Sequence, residues 1–229
     1  MSARQDAWSF EKQYVVDVYN DIAPSFSHSR FSIWDCVNRF LSTVPTSSIS
    51  IVTDVGCGNG KNMKHFSNIH WIGFDVSENL AEIAKSKNTR HIGVCSALKM
   101  PMRSGVSDST ISVAVIHHIS TVEGRVQFIR EMLRVTVAGG RCLVSVWSNP
   151  EQCRQNNTMA KNMKFLSPND ILVDWKNQYD NGKISKRYYH IFTEQELVDV
   201  VVSAGGHVLD TVEERGNIFV TFIKKTKQV

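Results

Sequence analysis

Cysteine is scarce in this chain, and what there is lies scattered. Cys36, Cys57, Cys95, Cys142 and Cys153 include no Cys-x-x-Cys pair. Such spacing supplies no zinc site and fits a reduced intracellular protein in which the five act as small buried hydrophobes. No apolar run approaches the roughly 20 residues that span a bilayer. The opening MSARQDAWSFEKQ lacks the apolar core of a signal peptide. Charge of one sign is not in large excess either: 26 Lys and Arg against 22 Asp and Glu give a net +4. Placement says more than the total, because Glu151 to His190 holds seven basic residues and four acids. That stretch reads as a solvated loop or as a phosphate-facing surface. With 229 residues, 42% hydrophobic and 21% charged, the chain has room for one large α/β domain or two small ones.

What the chain does have is rhythm. Tyr14, Val15, Val18, Tyr19 and Ile22 fall at helical spacing and predict a helix from Trp8 to Ile22. A second helix is expected from Ile33 to Leu41, stopped before Pro45. Five short runs rich in Val and Ile follow: Ile51–Val55, Trp71–Asp75, His91–Cys95, Thr110–Ile116 and Arg141–Trp147. Helical stretches lie between most of them, clearest at Glu78–Lys87 and Val122–Val135, with Ser120 and Glu123 as a capping box for the latter. Strands alternating with helices predict a parallel sheet covered on both faces. Residues 149–186 break the rhythm and read as an insertion over one end of the sheet. Then come RYYHIF (Arg187–Phe192), a helix from Thr193 (boxed with Glu196) to Ala204, and runs His207–Glu213 and Ile218–Ile223 joined at ERGN as a hairpin.

The stretch VTDVGCGNGK (Val52–Lys61) sits at the exit of the first run. Glycine costs conformational entropy, so Gly56, Gly58 and Gly60 mark a place where backbone or ligand must come close. In a doubly wound sheet ligands bind outside the carboxyl ends of the strands. Dinucleotide enzymes want G-x-G-x-x-G there. This chain has G-x-G-x-G with Asp54 two residues upstream, the pattern of S-adenosylmethionine enzymes. Asp75 ends the second run, where a carboxylate can take both ribose hydroxyls. The expected fold is therefore α/β, a class I S-adenosylmethionine-dependent methyltransferase with a Rossmann-like, mainly parallel seven-stranded sheet and a C-terminal antiparallel hairpin. It forms one domain over residues 1–229, with a helical lid at about 8–44.

Four stretches carry a closer resemblance: YVVDVYNDIAPSFSHSRFSIW (Tyr14–Trp34), DVGCGNGK (Asp54–Lys61), AVIHHIST (Ala114–Thr121) with Arg125 following, and RYYHIF. Over nearly its whole length the chain resembles the tRNA wobble-uridine carboxymethyl methyltransferases, which include a fungal enzyme and a domain of the animal AlkB-like tRNA hydroxylase. The resemblance implies methyl transfer from S-adenosylmethionine to the carboxylate of 5-carboxymethyluridine at the tRNA wobble position, giving the methyl ester. It implies tRNA as partner, and a small zinc-binding activator protein that pairs with the sheet edge at His91–Cys95. Cofactor contacts are expected from Tyr19 as a lid, from the glycine loop with Asp54, from Asp75 and Val76, and from Ser96, Ala97 and Leu98. In the family an acid after the third strand accepts the adenine amino group; here CSALKMP puts Ser96 there, an acceptor without charge assistance. Ile218 stands where the family usually has an aromatic residue.

A carboxylate with a pKa of about 4 is ionised at neutral pH, so the chemistry needs orientation rather than a strong base. Arg30 and His28 are the candidates to hold one oxygen. His117 and His118 follow the fourth strand beside the reacting end of the cofactor, with His118 the one expected in catalysis. Arg125, Arg187 and His190 are expected on the substrate side, the last two facing RNA. Such an enzyme belongs in the cytoplasm, with the nucleus also open. Two rival readings remain: a small-molecule methyltransferase of the quinone or sterol type, and a non-catalytic RNA- or partner-binding module with a weakened cofactor site.

Overall fold

Five parallel strands carry the apolar runs in a computed structural model that describes residues 3–45, 48–63, 68–87, 91–148, 163–177 and 180–224. They are β1 (Ser50–Val55), β2 (Ile69–Asp75), β3 (His91–Val94), β4 (Ser107–Val113) and β5 (Thr136–Trp147). The chain then makes a separate antiparallel sheet of β6 (Met163–Phe165), β7 (Asp170–Lys176) and β8 (Ile184–His190). It returns to the first sheet as the hairpin β9 (Gly206–Glu214) and β10 (Asn217–Lys224), with β10 antiparallel between β5 and β9. The order is β3-β2-β1-β4-β5-β10-β9. The hairpin turns at Arg215 and Gly216, both at positive φ (50° and 74°), the geometry that matches strand twist.

The N-terminal helix is longer than its periodicity predicts. α1 (Ala3–Glu11), a π-helical turn (Lys12–Val16) and α2 (Asp17–His28) run on without a break, past Pro24. Proline deprives the carbonyl four residues back of its partner. Here that carbonyl, on Asn20, accepts the Asn79 side-chain amide at 2.8 Å, so the defect becomes a dock. Asn79 lies in α4 (Glu78–Lys87); the second helix of the chain is α3 (Asp35–Ser42). On the other side stand α5 (Val122–Val135) and α6 (Glu194–Ser203), which bury Phe128, Met132, Leu197 and Val201 against the sheet.

Three further expectations need correction. The fourth strand stops at Val113 rather than Ile116, because Ala114 takes a φ of 60° that no strand accommodates. The cap of α5 is Thr121, whose hydroxyl accepts the Gly124 N–H at 3.1 Å, while Ser120 is used elsewhere. Residues 163–177 are no irregular insertion, since Ile171, Leu172, Val173 and Trp175 are buried in a sheet that leans on the N-terminal helix. Of the rest of the expected insertion, 149–162 with Cys153 and 178–179 lie outside the described residues, and 180–186 lead into β8. No helix among the described residues is long and apolar enough to cross a membrane.

Candidate active site

Everything that positions the site follows from where β1 and β4 stop. At the end of β1, Gly56 (φ 72°) turns the chain so sharply that a Cβ would stand 2.3 Å from Val115. The Gly56 and Cys57 N–H groups donate to the Phe74 carbonyl, closing the loop onto β2. Gly58 (φ 55°) faces open space, with only Phe26 at 3.9 Å from where its Cβ would be. At the end of β4, the Ala114 kink leads into a single helical turn, Ile116–His118. Between these two loops opens a cavity of about 960 Å³.

Its donor half collects most of the expected cofactor residues: Tyr19, Gly56, Gly58, Asp75 and Val76, with Ser96, Ala97 and Leu98 opposite. Asp75 is largely buried in the cavity wall, and burial holds its carboxyl above the usual range, opposed by the N–H groups that its oxygens accept. Those donors are Gly58 and Ser77, each at 2.8 Å. They fix the carboxylate plane at the mouth, as a ribose diol requires. The donor set thus fits S-adenosylmethionine: a glycine cradle, a fixed carboxylate, and an apolar wall. Ser96 Oγ already accepts the Leu98 N–H at 3.2 Å, so its hydroxyl shapes the turn as well as facing the cavity. Asp54 and Gly60 do not line it. Asp54 is wholly buried behind the loop, where Asn62 donates to it at 3.2 Å and burial pushes its carboxyl up to about 7.

The other half is walled by aromatic rings and cations. Arg30, Lys61 and Arg187 line it, with His117, His118, Trp147 and Tyr189. A single hydrogen-bond chain runs through these groups. Arg187 Nη1 donates to Tyr189 Oη at 2.7 Å, which leaves the Tyr189 proton for Tyr19 Oη at 3.2 Å. Tyr19 then donates to His118 Nε2 at 2.9 Å, and His118 Nδ1–H donates to the Tyr188 carbonyl at 2.6 Å. The direction is forced: arginine only donates, a carbonyl only accepts, and burial pushes His118 down to about 3, so the ring is neutral. His117, also held well below its usual value by burial, accepts the Trp147 N–H at 3.3 Å. Trp147 stacks on Tyr189 with centroids 4.3 Å apart.

The lid and the glycine loop are tied directly. Asn59 Nδ2 donates to the carbonyls of Arg30 at 2.8 Å and Ser27 at 3.1 Å. Arg30 itself stands 5.2 Å from the centroid of Phe26 and 6.0 Å from that of Trp175. Lys61, Trp147 and Trp175 were not expected here. Lys61 follows the glycine motif immediately and Trp147 ends a strand at the carboxyl edge, which were usable signals; Trp175 carried none.

Three expected substrate residues lie elsewhere. His28 is exposed at the end of α2, because helical geometry turns Ser27 inward to Asn59 and His28 out. Arg125 is buried under the turn, its Nε donating to the Ile119 carbonyl at 3.0 Å; it supports the histidine loop rather than the acceptor. His190 is buried between Asp170 (2.8 Å) and Glu196 (2.7 Å) and does not line the cavity. Nor do the described residues of the basic stretch form one continuous cationic face. Arg187 is buried, while Lys183 and Lys186 pair with Asp21 and Asp174.

Known proteins resemble this chain in both sequence and fold. The methyltransferase domain family matches residues 53–144. A tRNA (carboxymethyluridine(34)-5-O)-methyltransferase of Schizosaccharomyces pombe is 35% identical over 228 residues, covering 92% of this chain and 96% of the relative. The mouse tRNA (carboxymethyluridine(34)-5-O)-methyltransferase ALKBH8 is 38% identical over 72% of this chain, which spans 24% of that longer protein. Among solved structures, a methyltransferase in complex with the Haloferax volcanii Trm112 methyltransferase activator shares the fold at a TM-score of 0.64. It is 14% identical and covers 93% of this chain and 99% of its own.

Asp75→Ala removes the fixed carboxylate and two charge-assisted acceptors with it. Calorimetric titration with S-adenosylmethionine is expected to show affinity reduced by about 100-fold or more. Unchanged affinity contradicts the assignment of the donor half.

Proposed function

Because the chain belongs to the family of tRNA carboxymethyluridine methyltransferases, we propose that it transfers a methyl group from S-adenosylmethionine to the carboxylate of 5-carboxymethyluridine at the tRNA wobble position, giving the methyl ester. The observation that carries this reading is the charge of the acceptor half. Arg30, Lys61 and Arg187 line it, and none of them forms a salt bridge with a described carboxylate. Two acids at the rim are engaged: Glu11 accepts the Ser120 N–H and hydroxyl, and Glu214 accepts the Asp35 and Cys36 N–H groups. Uncompensated cations in a walled chamber favour an anionic acceptor over a neutral quinone or sterol. Burying Arg187 and half-burying Arg30 and Lys61 without catalytic use would only cost stability.

When bound, S-adenosylmethionine supplies an electrophilic methyl on a sulfonium sulfur. The chain's own work is orientation. An ionised carboxylate needs no side chain to take a proton, so the neutral His118 serves as a fixed hydrogen-bond acceptor that locks Tyr19. Arg30, tethered through its carbonyl by Asn59, holds one carboxylate oxygen and leaves the other to attack. Trp147, stacked on Tyr189 with His117 tilted against both, offers an aromatic wall against which a base can stack, keeping water from the reacting atoms.

The reading extends to a partner. β3 is an outer strand of four residues whose Val94 is 45% exposed, and it offers an unpaired row of backbone groups. A small zinc-binding activator that adds a strand there would cover it.

With tRNA bearing 5-carboxymethyluridine and labelled cofactor, the label is expected in a base-labile ester on the wobble nucleoside. Label elsewhere, or transfer only to uncharged acceptors, contradicts the reading. Arg30→Lys keeps the charge but loses the fork, and is expected to cut turnover about tenfold with cofactor affinity unchanged. For the partner, amide exchange at His91–Val94 is expected to slow markedly in the complex; unaltered exchange on addition of an activator that raises activity rules out pairing at this edge.

A further inference from the structure

Arg187 is the most anomalous side chain in the molecule. It sits on β8 with no exposed surface, yet lines the cavity. Its Nη1 is committed to Tyr189, but Nε and Nη2 have no hydrogen-bond partner among the described residues. These two are not any two donors. They share the side-on edge of the guanidinium, the fork that matches the two oxygens of a carboxylate. A buried cation with three of its five N–H donors unpaired is costly, and a fold does not carry it without a use.

Its surroundings hold that edge still. The guanidinium carbon lies 4.8 Å from the Trp175 centroid and 5.3 Å from that of Tyr189. Arg30 approaches the same Trp175 at 6.0 Å, so one indole keeps two cations in reach of one ligand. Resting on the substrate reading above, we propose that the Nε–Nη2 edge of Arg187 is the fork that grips the substrate carboxylate and so selects a carboxymethylated base over an uncharged one, with Arg30 closing from the lid. A phosphodiester is the poorer occupant. It brings two sugar chains to a guanidinium with no exposed surface, whereas a flat carboxymethyl arm can enter along the Trp147–Tyr189 stack.

The test compares two ligands on one protein, so that the folded fraction cancels. Anticodon stem-loops carrying carboxymethyluridine or carbamoylmethyluridine at the wobble position are titrated against the full chain with its activator, saturated with S-adenosylhomocysteine. Wild type is expected to prefer the carboxylate by about tenfold, the scale of one charge-assisted pair. Arg187→Met is expected to lower the ratio to about threefold, the part that Arg30 still sustains from the lid, and Arg187→Lys to a value between that and wild type. Should Arg187→Met fail to fold in a thermal scan, the Lys variant alone decides. A wild-type preference retained in the folded Arg187 variants overturns the fork and leaves the substrate reading standing. No preference in wild type overturns both.

Discussion

The chain of hydrogen bonds from Arg187 through Tyr189 and Tyr19 to His118 is the constraint on which the acceptor half depends. It joins three parts that fold from distant stretches: β8 of the small sheet, the N-terminal helix, and the turn after β4. Each link fixes the proton of the next, so breaking one leaves a buried donor or acceptor unmatched along the whole line. Tyr19 is therefore held by the site before any cofactor arrives. The lid is anchored at both ends, by Glu11 on Ser120 and by Asn59 on the Arg30 carbonyl.

Placing that chain in a dry interior decides its chemistry. Burial makes His118 and His117 neutral, and they are poor bases at any working pH. It also brings Lys61 down to about 8, with Arg30 beside it adding to the effect. The cavity thus divides its labour by charge: a fixed carboxylate at the ribose end, neutral imidazoles in the middle, and cations at the far end. An ionised acceptor completes that balance without a proton changing hands.

Strand runs, the hairpin and the glycine loop were legible because each obeys a local rule. Asp75 at the end of β2 and a close approach of backbone or ligand at Gly56 and Gly58 needed no tertiary knowledge. What was not legible depended on packing at long range. Nothing local says that Asn79 rescues the carbonyl freed by Pro24, so α2 was expected to stop at Ile22. RYYHIF was visibly special, yet strand alternation alone did not say that Arg187 would face the cavity while His190 served Asp170 and Glu196. Arg125 was misplaced for the same reason: a cation near a motif can support the loop that bears it. Trp175 lay in a stretch judged irregular, because β7 is buried on both faces and shows no alternation.

The central claim is that methyl transfer here needs orientation and no base. Single-turnover transfer to carboxymethylated tRNA, at saturating cofactor and across pH, tests it most directly. The account predicts a rate flat from about pH 5 to about pH 8, because the acceptor is already ionised, His118 stays neutral and Asp54, pushed up to about 7, stands behind the loop and outside the cavity, with a fall above it as Lys61 loses its proton. A rate that climbs through a step at about pH 6.5, the signature of an unperturbed histidine acting as base, would contradict it.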